Sequence, residues 1–419
     1  MNLPLKRVVV TGLGALTPLG NTVPEYWEGL VNGVSGADFI THFDVTKFKT
    51  KFACELKGFN PENFMERKEA RKLDRFSQIA VVAADEAVRN ARLNEEGVNP
   101  DRVGVIWASG IGGMITFIEE MKNFFAGDGT PRFNPFFIPK LILDIASGHI
   151  SMKYGFRGPN FATVSACASS TNSLIDAFNY IRLGKADAII SGGSEAVVTE
   201  SGIGGFNAMK ALSERNEEPK TASRPFDKDR DGFVLGEGGA SIVLEELEHA
   251  KRRGATIYAE MVGGGMSADA YHLTAPHPEG LGVINVMKNA LDDAGLKPEE
   301  IDYINVHGTS TPLGDIAELI AIQKVFGEHA YNLNISSTKS MTGHLLGGAG
   351  AIEAVATIKA VVHDTIPPTI NHFTDDPDID PKLNLTFTHA QKRTVRAAVS
   401  NTFGFGGHNA SVVFKKYEE

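Results

Sequence analysis

Short apolar runs alternate along the chain with longer stretches whose apolar positions recur at helical spacing. Buried strands are predicted at residues 7–11 (RVVVT), 103–108 (VGVIWA), 161–164, 186–190 and 257–262. Each is followed by glycine or other small residues, which predict turns: Gly12-Leu13-Gly14, Ser109-Gly110-Ile111-Gly112-Gly113, Gly192-Gly193 and Gly263-Gly264-Gly265. Helices are predicted at 65–90, 114–125, 139–154, 171–183, 245–253, 283–294 and 316–326. Strands alternating with helices argue for an α/β protein with largely buried sheets. No internal repeat is visible residue by residue, although both halves show strands that end in small-residue turns.

Composition changes this picture little. The 419 residues are ample for a large core, and 44 glycines spread among apolar runs predict close backbone approaches. A net charge of −10 argues against nucleic acid as the main partner. Two cysteines, Cys54 and Cys167, are too few for a disulfide framework or a cysteine-rich zinc site and fit a reducing cytoplasm. The three-valine run after Lys6-Arg7 is too short for a signal-peptide core, and no apolar run of membrane-spanning length is evident, so no membrane segment is expected. The Gly-x-Gly after the first strand is a weak dinucleotide signal, because Thr17 stands where the third glycine belongs. Asp227, Asp229, Asp231 and Gly232 have calcium-loop spacing, but Gly238 occupies the place of the closing glutamate, which argues against calcium. Arg67, Lys68, Arg71, Lys72 and Arg75 cluster on one side of the 65–90 helix. They form either a solvated face or a dock for an acidic partner.

The chemistry centres on FATVSACASSTNSL, residues 161–174. It reads as strand, sharp turn and helix, with Cys167 at the turn. Small neighbours admit a bulky substrate, and a helix N-terminus favours the thiolate. Burial as a small hydrophobe is the alternative. Two histidines follow extended-looking, small-residue-rich segments: His307 in INVHGTSTP and His344 in SMTGHLLGGAG. Two neutral histidines can donate hydrogen bonds to an oxygen that becomes an enolate. No Gly-x-Ser-x-Gly elbow, His-Glu-x-x-His or P-loop is present.

Several blocks together carry a resemblance: VVVTGLGALTPLG, SACASS, DGFVLGEG, VHGTSTPLGD, STKSMTGHLLGGAGAIEA and SNTFGFGGHNAS. They span essentially the whole chain, which resembles the elongating, type II β-ketoacyl-(acyl carrier protein) synthases. That resemblance implies a thiolase-like five-layer α-β-α-β-α fold with two pseudo-symmetric halves, 1–255 carrying the cysteine and 256–419 the histidines. It implies a cytoplasmic homodimer that needs neither cofactor nor metal. The implied reaction is a decarboxylative Claisen condensation. Cys167 takes an acyl chain from acyl carrier protein, and malonyl-loaded carrier supplies the enolate, which His307 and His344 stabilise. Backbone N–H groups of Cys167 and Phe405 form the oxyanion hole, and Phe405 gates the acyl chain. Lys339 and Glu353 support the histidines or form a plain buried ion pair. Thr309 and Thr311 bind the pantetheine arm, and Lys68, Arg71 and Lys72 dock the carrier. Ala275, where relatives often have a hydroxyl, and Lys210 depart from or blur the pattern. Alternatives are a ketosynthase of a polyketide or aryl polyene pathway and a non-catalytic partner subunit. A biosynthetic thiolase needs a second cysteine near the C-terminus, whereas Cys54 lies near the start.

Overall fold

The three valines that open the first strand run on into glycines, and the strand does not stop there. In the computed structural model, which describes residues 5–418, β1 spans Val8–Leu16 and is buried at every position. Helix α1 (Arg75–Ala91) lies against it at backbone contact. A Cβ on Gly14 would lie 2.0 Å from the Ala83 carbonyl oxygen, and one on Gly12 2.4 Å from that of Ala87. The predicted turn is therefore strand interior, and these glycines permit a helix to approach.

Nine more strands complete the main sheet: β2 (Val103–Ala108), β3 (Asn160–Thr163), β4 (Ala188–Glu195), β5 (Gly238–Glu246), β6 (Ala259–Ala268), β7 (Tyr303–Asn305), β8 (Asn334–Ser336), β9 (Ala397–Gly404) and β10 (His408–Lys415). Gly192 and Gly193 lie inside β4 and Gly263 to Gly265 inside β6, so these two predicted turns are also strand. The hydrogen-bonded order is β3-β2-β4-β5-β1 followed by β6-β10-β9-β7-β8. Numbered from its own first strand, each set of five reads third, second, fourth, fifth, first from its outer edge. Pairings repeat as well. β2 is parallel to β3 and β4, as β7 is to β8 and β9; the β4–β5–β1 and β9–β10–β6 ladders are antiparallel. A short β1–β6 ladder, Val8↔Met261 to Val10↔Ala259, joins the two sets.

Helices repeat in the same way: α2 (Ser169–Arg182), α3 (Leu281–Ala294) and α4 (Ala349–His363). α3 covers β6 as α1 covers β1: a Cβ on Gly265 would lie 2.2 Å from the Val286 carbonyl oxygen. α2 and α4 pack on each other in the middle, where Leu174, Phe178, Ile352, Val355 and Ile358 share one core with strands of both sets. Outer cores beneath α1 and α3 complete an α-β-α-β-α layering. The central position explains the composition of Leu346–His363, whose mean hydropathy of 1.2 over 18 residues would satisfy a membrane span. No helix is predicted here from the sequence; 83% of the stretch is buried inside the fold.

Two predicted helices are broken. Residues 65–90 form a short helix, Arg67–Ala70, and then α1, because Asp74 caps α1 through Phe76 N at 3.2 Å while its other oxygen takes Thr116 N and Oγ1. Arg75 consequently turns inward to the buried Glu237 of DGFVLGEG, leaving Lys68 and Arg71 exposed. Residues 139–154 divide into Phe137–Leu141 and Ile145–Tyr154. Asp227 does not present a free carboxylate. It accepts from Phe373 N, Thr374 N and Asp229 N and so serves as a loop clamp.

Candidate active site

Three parallel strands, β3, β2 and β4, present their carboxyl ends on one side, the usual place for a site in an α/β sheet. The chain leaves β3, and Ala166 enters the left-handed region at φ 51°. A single 3-10 turn, Ala166–Ala168, then carries Cys167 to the start of α2. The predicted strand, turn and helix are therefore present. Cys167 is 8% exposed and receives the Phe405 N–H on its sulfur. Burial outweighs the Lys339 charge and this donor: the thiol is pushed up to about 12, so the resting group is a thiol and not the expected thiolate.

His307 follows β7, as predicted. Its own N–H and that of Gly308 donate to Glu318 Oε1 and Oε2, each at 2.9 Å, and Ser337 Oγ donates to the Gly308 carbonyl at 2.6 Å. His344 does not follow an extended run; it follows the short helix Lys339–Thr342 and a left-handed Gly343. Gly343 has no room for a side chain, since a Cβ would lie 2.8 Å from Cys54 Sγ. Cys54, the second cysteine, is thus a packing residue beneath the loop of His344.

The two imidazoles meet edge to face, with centroids 5.3 Å apart. Phe403 packs on His307 and Phe233 on His344. Burial, with the nearby Lys339 charge, draws both histidines well below their ordinary range, so both are neutral. Their Nδ1 atoms are buried without a partner. Lys339 donates to Glu353 in a pair buried on both sides, and burial pushes the Glu353 carboxyl up to about 7.

One cavity of about 690 Å³ brings these groups together. Cys167, His307, His344, Phe405, Thr309 and Thr311 all line it. Thr309 and Thr311 Oγ1 atoms are 3.1 Å apart. Lys210 and Ala275 line the same cavity, whereas Lys68, Arg71 and Lys72 lie outside it on the surface of the Arg67–Ala70 helix and the turn after it. Glu318, Phe233 and Phe403 escaped the sequence reading. Glu318 is one carboxylate among many on a helix, and only the fold shows its oxygens facing two loop N–H groups. Burial disfavours both charges of a resting thiolate–imidazolium couple. The neutral imidazole pair is suited to holding an oxygen that gains charge.

The chain matches the family model described as Beta-ketoacyl synthase, N-terminal domain, over residues 5–250, and its C-terminal counterpart over 258–373. It belongs to the β-ketoacyl synthase family and is an acyl-transferring condensing enzyme. Among curated relatives, the 3-oxoacyl-(acyl-carrier-protein) synthase 2 of Synechocystis sp. is 50% identical over 419 residues, covering 100% of both chains. That of Staphylococcus aureus is 51% identical over 413 residues, covering 99% of each. A β-ketoacyl synthase from Burkholderia phymatum superposes with a TM-score of 0.91 at 35% identity, covering 99% of this chain and 100% of its own. A type II polyketide ketosynthase solved with its acyl-carrier protein gives 0.89 at 33%, with the same coverage.

Proposed function

We propose that this enzyme extends acyl chains by two carbons in fatty acid synthesis, using malonyl-loaded acyl carrier protein as the carbon donor. The observation that carries the reading is the single cavity in which Cys167 faces two histidines held neutral by burial and by Lys339. Cys167 attacks the carrier thioester. The exchange is proton-neutral overall: the Cys167 S–H proton ends on the departing carrier thiol, and a neutral imidazole is the group available to pass it. Malonyl thioester then loses carbon dioxide. The enolate oxygen accepts hydrogen bonds from His307 and His344, and its carbon attacks the acyl-Cys167 carbonyl. Backbone N–H groups of Cys167 and Phe405 receive the tetrahedral oxyanion. Collapse expels the Cys167 sulfur, which regains a proton from solvent.

In this reading Lys339, tied to Glu353, adds its charge to burial in keeping both imidazoles unprotonated. Thr309 and Thr311 hold the pantetheine arm, and Phe405 gates the acyl side. Lys68, Arg71 and Lys72 attract the acidic carrier. The two halves, 1–255 and 256–419, are supported by the repeated strand order and by the paired helices. A homodimer is supported by the open edge at β3, where the Phe161 and Tyr180 rings pack tilted at 5.7 Å and Val164, Tyr180 and Leu183 are exposed. Two buried free thiols suit a reducing cytoplasm.

Intact-mass analysis with acyl- and malonyl-loaded carrier tests the proposal. The parent forms an acyl adduct on Cys167 and a 3-oxoacyl product two carbons longer. Cys167→Ala forms no adduct, whereas His307→Ala forms the adduct and condenses poorly. An unmodified Cys167 with every primer would overturn the reading.

A further inference from the structure

The carboxyl end of β4 carries a buried carboxylate that the condensation leaves unused. Glu195 is fully buried. Its four partners are neutral donors: Oε1 accepts from Ser109 Oγ at 2.8 Å and Ile111 N at 3.2 Å, and Oε2 from Gly110 N at 2.8 Å and Gly347 N at 3.0 Å. The first three donors lie in the turn after β2, and the fourth in the turn Leu346–Gly348 that starts α4. The two turns touch backbone to backbone, since a Cβ on Gly347 would lie 2.1 Å from Gly110 N. Each contributes one apolar wall to the cavity around Cys167, Ile111 from the first and Leu346 from the second. Leu346 is held in the left-handed region at φ 46°, a conformation an unrestrained leucine rarely adopts. Nothing else in the β4 terminus requires a charge here, and an apolar residue would leave buried N–H groups without acceptors.

We propose that Glu195 is a positioning residue for acyl selection. Its carboxylate clasps the Ser109–Ile111 and Leu346–Gly348 turns and so sets the separation of Ile111 and Leu346 beside Cys167. The inference builds on the condensing reading above, because that reading places an acyl chain on Cys167. Each oxygen serves two donors. A glutamine presents an NH₂ in place of one oxygen, which leaves two buried donors unpaired and forces the turns apart. Ser109→Ala removes one donor to Glu195 and the acceptor of the Gly112 N–H, but leaves the other three donors to the carboxylate in place, and is the milder form of the same change.

The test reads the chamber both without and with turnover. Purified parent, Glu195→Gln, Ser109→Ala and Glu245→Gln are treated with N-methyl and N-octyl iodoacetamide, and the Cys167 labelling rates are followed by intact mass. The same proteins are then assayed with a short and a long acyl-carrier primer. Glu245 is an equally buried carboxylate held by Arg253 and Thr11, away from the cavity, and controls for loss of stability alone. We expect the octyl-to-methyl labelling ratio and the long-to-short kcat/KM ratio to shift together. The shift is about tenfold in Glu195→Gln, below the roughly 10²-fold that a 1 Å misplacement can cost. It is about threefold in Ser109→Ala, which keeps three of the four donors to the carboxylate. Glu245→Gln keeps the parent ratios. Unchanged ratios in the two clasp variants, or an equal shift in the control, overturn the proposal. If Glu195→Gln does not fold, Ser109→Ala decides alone. Labelling requires only the thiol and its chamber, so a parent that labels selectively yet makes no product would refute the condensing reading and leave the clasp standing.

Discussion

At the scale of single residues, burial outweighs every other influence on the titrating groups of the site. The Cys167 thiol, at about 12, is poorly ionised at neutral pH despite the Phe405 N–H on its sulfur. Alkylation of free enzyme by iodoacetamide should therefore rise about tenfold per pH unit from pH 7 to 10 with no plateau. A plateau near pH 8 in the labelling rate would show that the thiolate is favoured after all. The histidines make the opposite kind of statement. In the unfolded chain each takes a proton near pH 6.5, whereas in the fold neither does until much lower. Their contribution to stability is whole above that pH and is lost as pH falls below it. Glu318 and Glu353, pushed up to about 7, bind protons in the fold before the unfolded chain does, so they gain stability between about pH 7 and 4.5. Two groups thus offset two. Replacing the pair, His307→Asn with His344→Gln, removes one side only. Relative to the parent, that variant should gain about 1.4 kcal/mol per histidine for each pH unit below 6.5, read from urea midpoints. Parallel stability curves for variant and parent would contradict it.

Among the elements, the most instructive are the glycine-bearing strands. Gly12 and Gly14, Gly192 and Gly193, and Gly263 to Gly265 all read as strand ends, because glycine is the usual mark of a turn. In the fold each lies inside a strand where packing leaves no room for a side chain: Gly12, Gly14, Gly263 and Gly265 meet helix backbone, Gly192 the backbone of β5, and Gly264 the Ile175 side chain. A chain cannot advertise that distinction locally: the reason for the glycine is a helix or strand tens of residues away. The consequence is measurable. Gly14→Ala should destabilise by about 3 kcal/mol or more in denaturant unfolding, because its Cβ meets the α1 backbone rather than a movable side chain. Gly205→Ala, on an exposed helix with nothing within 4 Å of the new Cβ, should instead stabilise by about 0.5–1 kcal/mol. Equal effects at the two positions would refute the distinction. The break at Asp74 belongs to the same scale. Helical spacing put Arg75 with Lys68, Arg71 and Lys72 on one face, but the cap turns Arg75 into the protein.

For the whole molecule, the two sets of five strands have the same order and the same parallel and antiparallel neighbours. The edge at β3 is left open beside exposed Val164 and Leu183. An unpaired edge with apolar flanks invites a second copy. Val164→Lys with Leu183→Glu should convert the proposed homodimer to monomer in analytical ultracentrifugation while far-UV circular dichroism stays unchanged. A variant that still sediments as the dimer would locate the interface elsewhere. The aromatic cluster of Phe124, Phe133 and Phe137, stacked at 5.4 Å and flanked by exposed Phe125 and Ile138, is a second apolar area on the surface.

What the sequence determined by itself was the alternation of strand and helix, the turn that carries Cys167, and the short segments that hold His307 and His344. These are local properties: small residues at a sharp turn and apolar runs of strand length leave their mark on contiguous positions. The family resemblance rested on the same contiguous blocks. The tertiary structure alone decided which glycines are turns, where the basic helix breaks, and which strand order and pairings the two halves share, halves that the residues implied only through the family resemblance. It alone brought Glu318 and Glu195 to the loops they hold. The physical reason is common to all of these. Backbone contact, burial and hydrogen bonding across the fold depend on partners far away in sequence, and no window of neighbouring residues contains them.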